Sequence, residues 1–126
     1  MLLPEDLKYR NSHEWVKVQG ETARVGVSDH AQQELNDVVF VELPEVGKEV
    51  AAGEASCVVE STKVAADVYA PVSGTVTAVN TDLESDPGKI NSSPYEEGWL
   101  FEIRMSNPVE LEALLSAEQY RESLQQ

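Results

Sequence analysis

The sequence predicts a mainly-β fold in which two strands meet at a lysine-bearing turn, and three observations carry that reading. Apolar and polar residues alternate with period two, at Ala55, Cys57 and Val59 and again at Val64, Ala66, Val68 and Ala70, as half-buried strands require. Turn formers such as Gly20-Glu21, Pro44 with Gly47, and Asp86-Pro87-Gly88 punctuate the chain between such runs. Helical spacing is confined to a short stretch after Ser28 and to the C-terminus.

In order, Glu14–Gln19 and Thr22–Val27 read as a hairpin around Gly20-Glu21. Asp29 offers an N-cap, with Gln32 as its capping-box partner, for a short helix. That helix must end before the β-branched run Val38-Val39-Phe40-Val41, which Pro44 and Gly47 close. The two alternating runs then mirror each other about Lys63, giving a hairpin with this lysine in its turn and Gly53 and Gly74 beyond its outer ends. Val72–Val79 reads as a further strand, residues 91–95 as irregular chain, and Trp99–Met105 as the last strand. Trp15 and Trp99 are expected in the core.

Asn107-Pro108 looks like a helix start, with Pro at the first helical position and Glu110 as capping-box acid. Ser116 with Gln119 begins a second turn or a separate helix through Gln126, and Leu111, Leu114 and Leu115 share a face suited to packing on the sheet. The expected organisation is one domain over 1–126, with a core of about 14–105 and a helical extension of about 107–126.

Charge narrows the choice of partner. Twenty-three acidic residues against nine basic ones give a net charge of −14, which disfavours nucleic acid and anionic membranes, since both are bound through clustered Lys and Arg. A protein partner with basic patches fits better, although such charge also serves solubility. Cys57, the single cysteine, lies in an apolar run and reads as a small buried hydrophobe in a reducing compartment. No apolar run approaches the roughly 20 residues that cross a bilayer. The start at Met1 has neither a secretory nor a mitochondrial targeting pattern, so a bacterial cytoplasm is expected, or a mitochondrial matrix for a eukaryotic source. His13 and His30 lack metal-binding spacing, and no phosphate loop or nucleophile–base set is evident.

Lys63 is one of five lysines, and its place sets it apart. A hairpin tip projects its side chain away from the body of the domain, where another protein's active site can receive it. A lysine amine in water is almost wholly protonated at neutral pH, so a modifying enzyme has to supply a base or desolvate the amine. Position alone favours a solvated turn residue.

The stretch from Val59 to Gly74, with Glu60-Ser61-Thr62-Lys63-Val64 at its centre, resembles the lipoylation segment of the glycine cleavage system H protein family. Four further blocks are similar to that family and run in its order: Ser12–Val16, Val25–Gln32, Val38–Pro44 and Asn91–Leu100. The resemblance implies a lipoyl/biotinyl-type barrel-sandwich hybrid, or hammerhead, carrying a short internal helix and a C-terminal helical extension. It implies lipoate bound covalently to Lys63, in a carrier that is not itself an enzyme. Such a carrier takes an aminomethyl group from the pyridoxal-phosphate glycine decarboxylase (P protein). It presents that group to the tetrahydrofolate-dependent aminomethyltransferase (T protein), and dihydrolipoamide dehydrogenase (L protein) reoxidises it.

By the same resemblance, Glu60 and Gly74 assist recognition by the lipoate-attaching enzyme. Glu14, Glu34 and Asp67 are candidates for the cleft that shelters the loaded arm, and Glu14 is expected to act there with little part in folding. Some members carry histidine at the position of Glu34, so the cleft is expected to be more acidic and to lose an imidazole. Val64 is a smaller departure, since alanine is common after the lysine. Thr62 and Val64 around the acceptor differ from the Met-Lys-Met of biotin carriers. The alternative function is a cofactor-free acidic interaction module on the same fold, and a monomer is the default oligomeric expectation.

Overall fold

The computed structural model describes residues 2–125. Its strands are β1 (Lys8–Tyr9), β2 (Glu14–Gln19), β3 (Thr22–Val27), β4 (Val38–Glu42), β5 (Glu49–Val50), β6 (Ala55–Ser61), β7 (Ala65–Tyr69), β8 (Gly74–Val79) and β9 (Phe101–Met105). They form a six-stranded sheet in the order β1-β2-β3-β9-β8-β5 and a three-stranded sheet in the order β4-β6-β7. One apolar core draws Val16, Val25 and Ile103 from the first sheet and Val41, Val59 and Val68 from the second. The sheets therefore face each other as a barrel-like sandwich, as expected.

The hairpin about Lys63 forms as the mirror pattern predicts. Cys57 pairs with Val68 and Val59 with Ala66, so the apolar positions of β6 and β7 meet across the strands. Cys57 is buried, and burial pushes its thiol up to about 12, leaving it protonated and inert. The hairpin of β2 and β3 also turns at Gly20-Glu21, with Gln19 opposite Thr22.

Strand β2 has two buried faces. Val16 enters the main core, whereas Trp15 joins Leu3, Leu7, Tyr9, Ala117 and Tyr120 in a second cluster. The second cluster lies beneath the C-terminal helix α4 (Ala117–Leu124). The Trp15 indole donates to the Pro94 carbonyl at 2.9 Å and lies over its cross-strand partner Gly26, where a Cβ would come within 2.5 Å of the ring.

Several local expectations shift. The cap of α1 (Asp29–Leu35) is Ser28, whose hydroxyl accepts from the Ala31 N–H; Asp29 sits inside the first turn and accepts from the Gln32 side chain at 2.7 Å. The chain read as loop after β8 holds two single-turn helices, α2 (Asp82–Ser85) and α3 (Lys89–Ser92). They bury Leu83 and Ile90. Trp99 lies outside β9 and is only partly buried, under the Arg24 guanidinium at 4.4 Å. Pro108–Ala113 is a 3-10 helix with no side-chain cap. Glu110 does not close a capping box; its carboxylate accepts from the backbone N–H and hydroxyl of Ser73 at 2.7 and 2.8 Å. The separate helix at Ser116 is α4, and it carries the full capping box with Gln119.

Gly74 owes its identity to close approach. It pairs with Met105 at the start of β8, and a Cβ there would sit 2.0 Å from the Arg104 carbonyl oxygen and 2.7 Å from Ile103. Neither strand can yield without breaking the β8–β9 ladder. Gly74→Ala is expected to destabilise the protein by about 3 kcal/mol, read as a lower urea midpoint with an unchanged slope.

Candidate functional site

The turn between β6 and β7 is built by Ser61. Its hydroxyl accepts the backbone N–H groups of Lys63 and Val64 at 3.2 and 3.1 Å, and its own N–H donates to the Val64 carbonyl at 2.8 Å. A serine that satisfies the following donors is a common way to close a tight turn. Thr62 N–H donates to the Asp37 carbonyl at 3.0 Å, which ties the tip to the residue just before β4. Lys63 is exposed, and among the described residues no carboxylate lies within ion-pair distance of its amine.

A cleft of about 160 Å³ opens along β7, comparable in volume to cavities that hold a benzene-sized group. Val27, Leu35, Val59 and Val68 make its apolar walls. Glu14, Glu34 and Asp67 all line it, so the structure brings the three candidate carboxylates together. Asp67 is four residues along the chain from Lys63, about 13 Å at the rise of a strand. A lysine stem extended by an eight-carbon acyl chain spans that distance.

The three carboxylates differ in kind. Glu34 and Asp67 are exposed at the rim, and Glu34 is held 2.6 Å from the His30 imidazole one helical turn earlier. Glu14 is 2% exposed. It accepts from the Ser12 hydroxyl and, at 2.9 Å, from the Tyr69 N–H on β7, an outer strand of the smaller sheet. Burial raises its pKa, while Ser12, the Tyr69 N–H and Arg10 oppose that rise. Glu14 thus joins β2 to β7, a structural part that stands beside its place in the cleft.

The cleft also keeps an imidazole. His13 lines it, with its ring centroid 4.6 Å from that of His30. His13 Nδ1 lies 2.7 Å from the Tyr120 hydroxyl, which in turn lies 2.7 Å from Ser28 Oγ. Ser28 already accepts from Ala31. The chain closes with every atom satisfied when Ser28 donates to Tyr120 and Tyr120 donates to a neutral His13. Sequence reasoning weighed the histidines only for metal spacing and for a nucleophile–base set, and so missed this pair; their meeting depends on β2, α1 and α4 coming together.

Glu60 lies on β6, between Phe40 on β4 and Ala65 on β7. Gly74 belongs to the other sheet, and its close packing against β9 accounts for it locally.

Burial, and then the neighbouring His30, hold the His13 imidazole below its ordinary pKa of 6.5, with Glu34 pulling the other way. As pH falls through 6.5, the unfolded chain takes up a proton that the folded chain resists. Stability contributed above that pH is therefore lost on acidification. Relative to His13→Asn, which tolerates the positive φ of 84° at this position, the wild type is expected to lose stability from about pH 7 to about pH 5. Urea unfolding across that range checks this, and a constant difference between the two proteins would refute it.

The model of the family described as glycine cleavage H-protein matches residues 7–126. The glycine cleavage system H protein of Micrococcus luteus is 57% identical over 120 residues, covering 94% of each chain. That of Bacillus subtilis is 51% identical over 126 residues, covering 100% of this chain and 99% of its own. The crystal structure of a glycine cleavage system H protein from Mycobacterium marinum superposes with a TM-score of 0.88 at 38% identity, covering 98% of this chain and 99% of that one. Sequence and fold agree from end to end, and the chain belongs to the glycine cleavage H-protein family.

Proposed function

We propose that Lys63 is the residue on which this carrier bears lipoate, as an amide through Nζ. The reading rests on one observation: an exposed lysine stands in a turn whose backbone Ser61 holds, at the tip of the β6–β7 hairpin. When bound, lipoate supplies a dithiolane that accepts and releases an aminomethyl group and is then reoxidised. The chain itself holds and presents that arm and performs no bond-making step.

The cleft along β7 is the resting place of the loaded arm. Its apolar walls suit an alkyl chain, and Glu34 and Asp67 at the rim with Glu14 beneath suit a cationic amine. A neutral His13 adds no competing positive charge. Glu60 and Gly74 serve recognition by the lipoate-attaching enzyme, Glu60 from the sheet face beside the tip and Gly74 by keeping β8 in register. The partners are the glycine decarboxylase, the aminomethyltransferase and dihydrolipoamide dehydrogenase. A single tethered group visiting each in turn gains effective concentration at every site. The protein works as a monomeric single domain with residues 107–126 as its extension, in a bacterial cytoplasm.

Intact-mass measurement on protein from lipoate-supplied cells is expected to show one lipoyl-amide increment, absent in Lys63→Arg. An increment that persists in Lys63→Arg would refute the assignment, and no increment on the wild type would favour a cofactor-free module.

A further inference from the structure

We propose that Val39 and Phe40, with Val64 in the turn, form an apolar contact surface for the enzyme that acylates Lys63. Its matching face is an apolar hollow rimmed by lysine and arginine. The proposal rests on Lys63 being the acylated residue.

Regular alternation along β4 would turn Val39 and Phe40 to opposite faces. The register slips between Val38 and Phe40, and this bulge leaves Val39 and Phe40 53% and 52% exposed while Val38 and Val41 stay buried. Bulges commonly re-aim side chains beside functional sites. Val64, next to Lys63, is 50% exposed. Large apolar side chains grouped in this way at one end of a sheet mark a contact surface more often than single exposed ones do.

The surface adjoins the lysine. Val38 pairs with Ser61 and Phe40 with Glu60, and the Thr62 N–H is bonded to the Asp37 carbonyl. Beyond Phe40 the face continues into a hollow lined by Leu43, Pro44, Val79 and Glu84. Asp37, Glu42 and Glu60 flank the apolar residues, an apolar centre with a charged rim as in protein interfaces. The negative rim selects a positive one.

Reach decides which partner is meant. Before modification, the amine extends only as far as its own four-carbon stem. An enzyme acting on it must cover the residues around the turn. Partners that read the finished arm have the added length of the acyl chain between the turn and their reacting atoms. In the acylation itself, Lys63 Nζ forms an amide bond to the lipoyl carbonyl of an acyl-adenylate. The acyl–phosphate bond breaks, AMP leaves with its electron pair, and the amine proton passes to solvent.

A purified lipoate–protein ligase with ATP and lipoate tests this, with intact mass giving acylation rate against carrier concentration. Val39→Ser combined with Phe40→Ser is expected to raise KM for the carrier about tenfold with kcat within about twofold. Phe40→Lys, which sets a like charge against a basic rim, is expected to do the same, and this second variant guards against loss of fold in the first. Val18→Ser, at an exposed position on the six-stranded sheet, is expected to change neither parameter. A wild-type KM in both patch variants overturns the docking surface. Acylation that survives Lys63→Arg overturns the lysine assignment and the docking surface with it. Loss of acylation in Lys63→Arg alongside a normal KM in the patch variants overturns the docking surface alone.

Discussion

The two sheets are joined at the cleft by a carboxylate with almost no access to water. Glu14 leaves β2 and receives the Tyr69 N–H of β7, the outer strand that carries the lysine hairpin. Removing a carboxylate from water costs several kcal/mol unless its lone pairs are used. Here one oxygen takes the Ser12 hydroxyl and the other the strand N–H. Arg10 stands behind them, bonded to Ser12 and stacked on the Tyr69 ring at 5.3 Å. The same group therefore seals an otherwise open strand edge and sets the electrostatics of the cleft floor.

A second layer supports this junction from outside. Tyr120 on α4 stacks on Tyr9 with centroids 4.7 Å apart and rings 2° from parallel. Burial, ahead of its hydrogen bonds and charged neighbours, pushes the Tyr120 hydroxyl up to about 12, so it remains a donor. Tyr9 also pairs with Leu115 through two backbone hydrogen bonds of 2.8 and 2.7 Å, binding the two ends of the chain together. The C-terminal helix thereby reaches the cleft through one hydroxyl, although none of its residues lines it.

Much of this was legible in the sequence where local pattern decides structure. Period-two alternation located the hairpin around Lys63, and the Ser116–Gln119 spacing located α4. Legibility failed where neighbours in space decide. Val38-Val39-Phe40-Val41 is apolar throughout, so no alternation could reveal which two face outward. Ser28 and Asp29 are both good caps, and the choice between them is a matter of one residue in where the chain leaves β3. The two-residue strands β1 and β5 are too short to show a period. Glu110 reads as a capping-box acid and Glu14 as a cleft residue. Each is instead committed to a backbone donor far along the chain, and nothing local signals that.

The serine-closed turn has a consequence for how the arm moves. With the Lys63 and Val64 N–H groups both held by Ser61, and Thr62 moored to Asp37, the backbone under the lysine is a fixed pivot. On the proposed acylation of Lys63, all the freedom would lie outboard of it, in the rotors of the stem and the acyl chain. The free end then samples a shell about one point instead of a volume blurred by a wandering loop. Residence near the cleft, or in a partner's entrance, would on that proposal be set by the geometry of that shell.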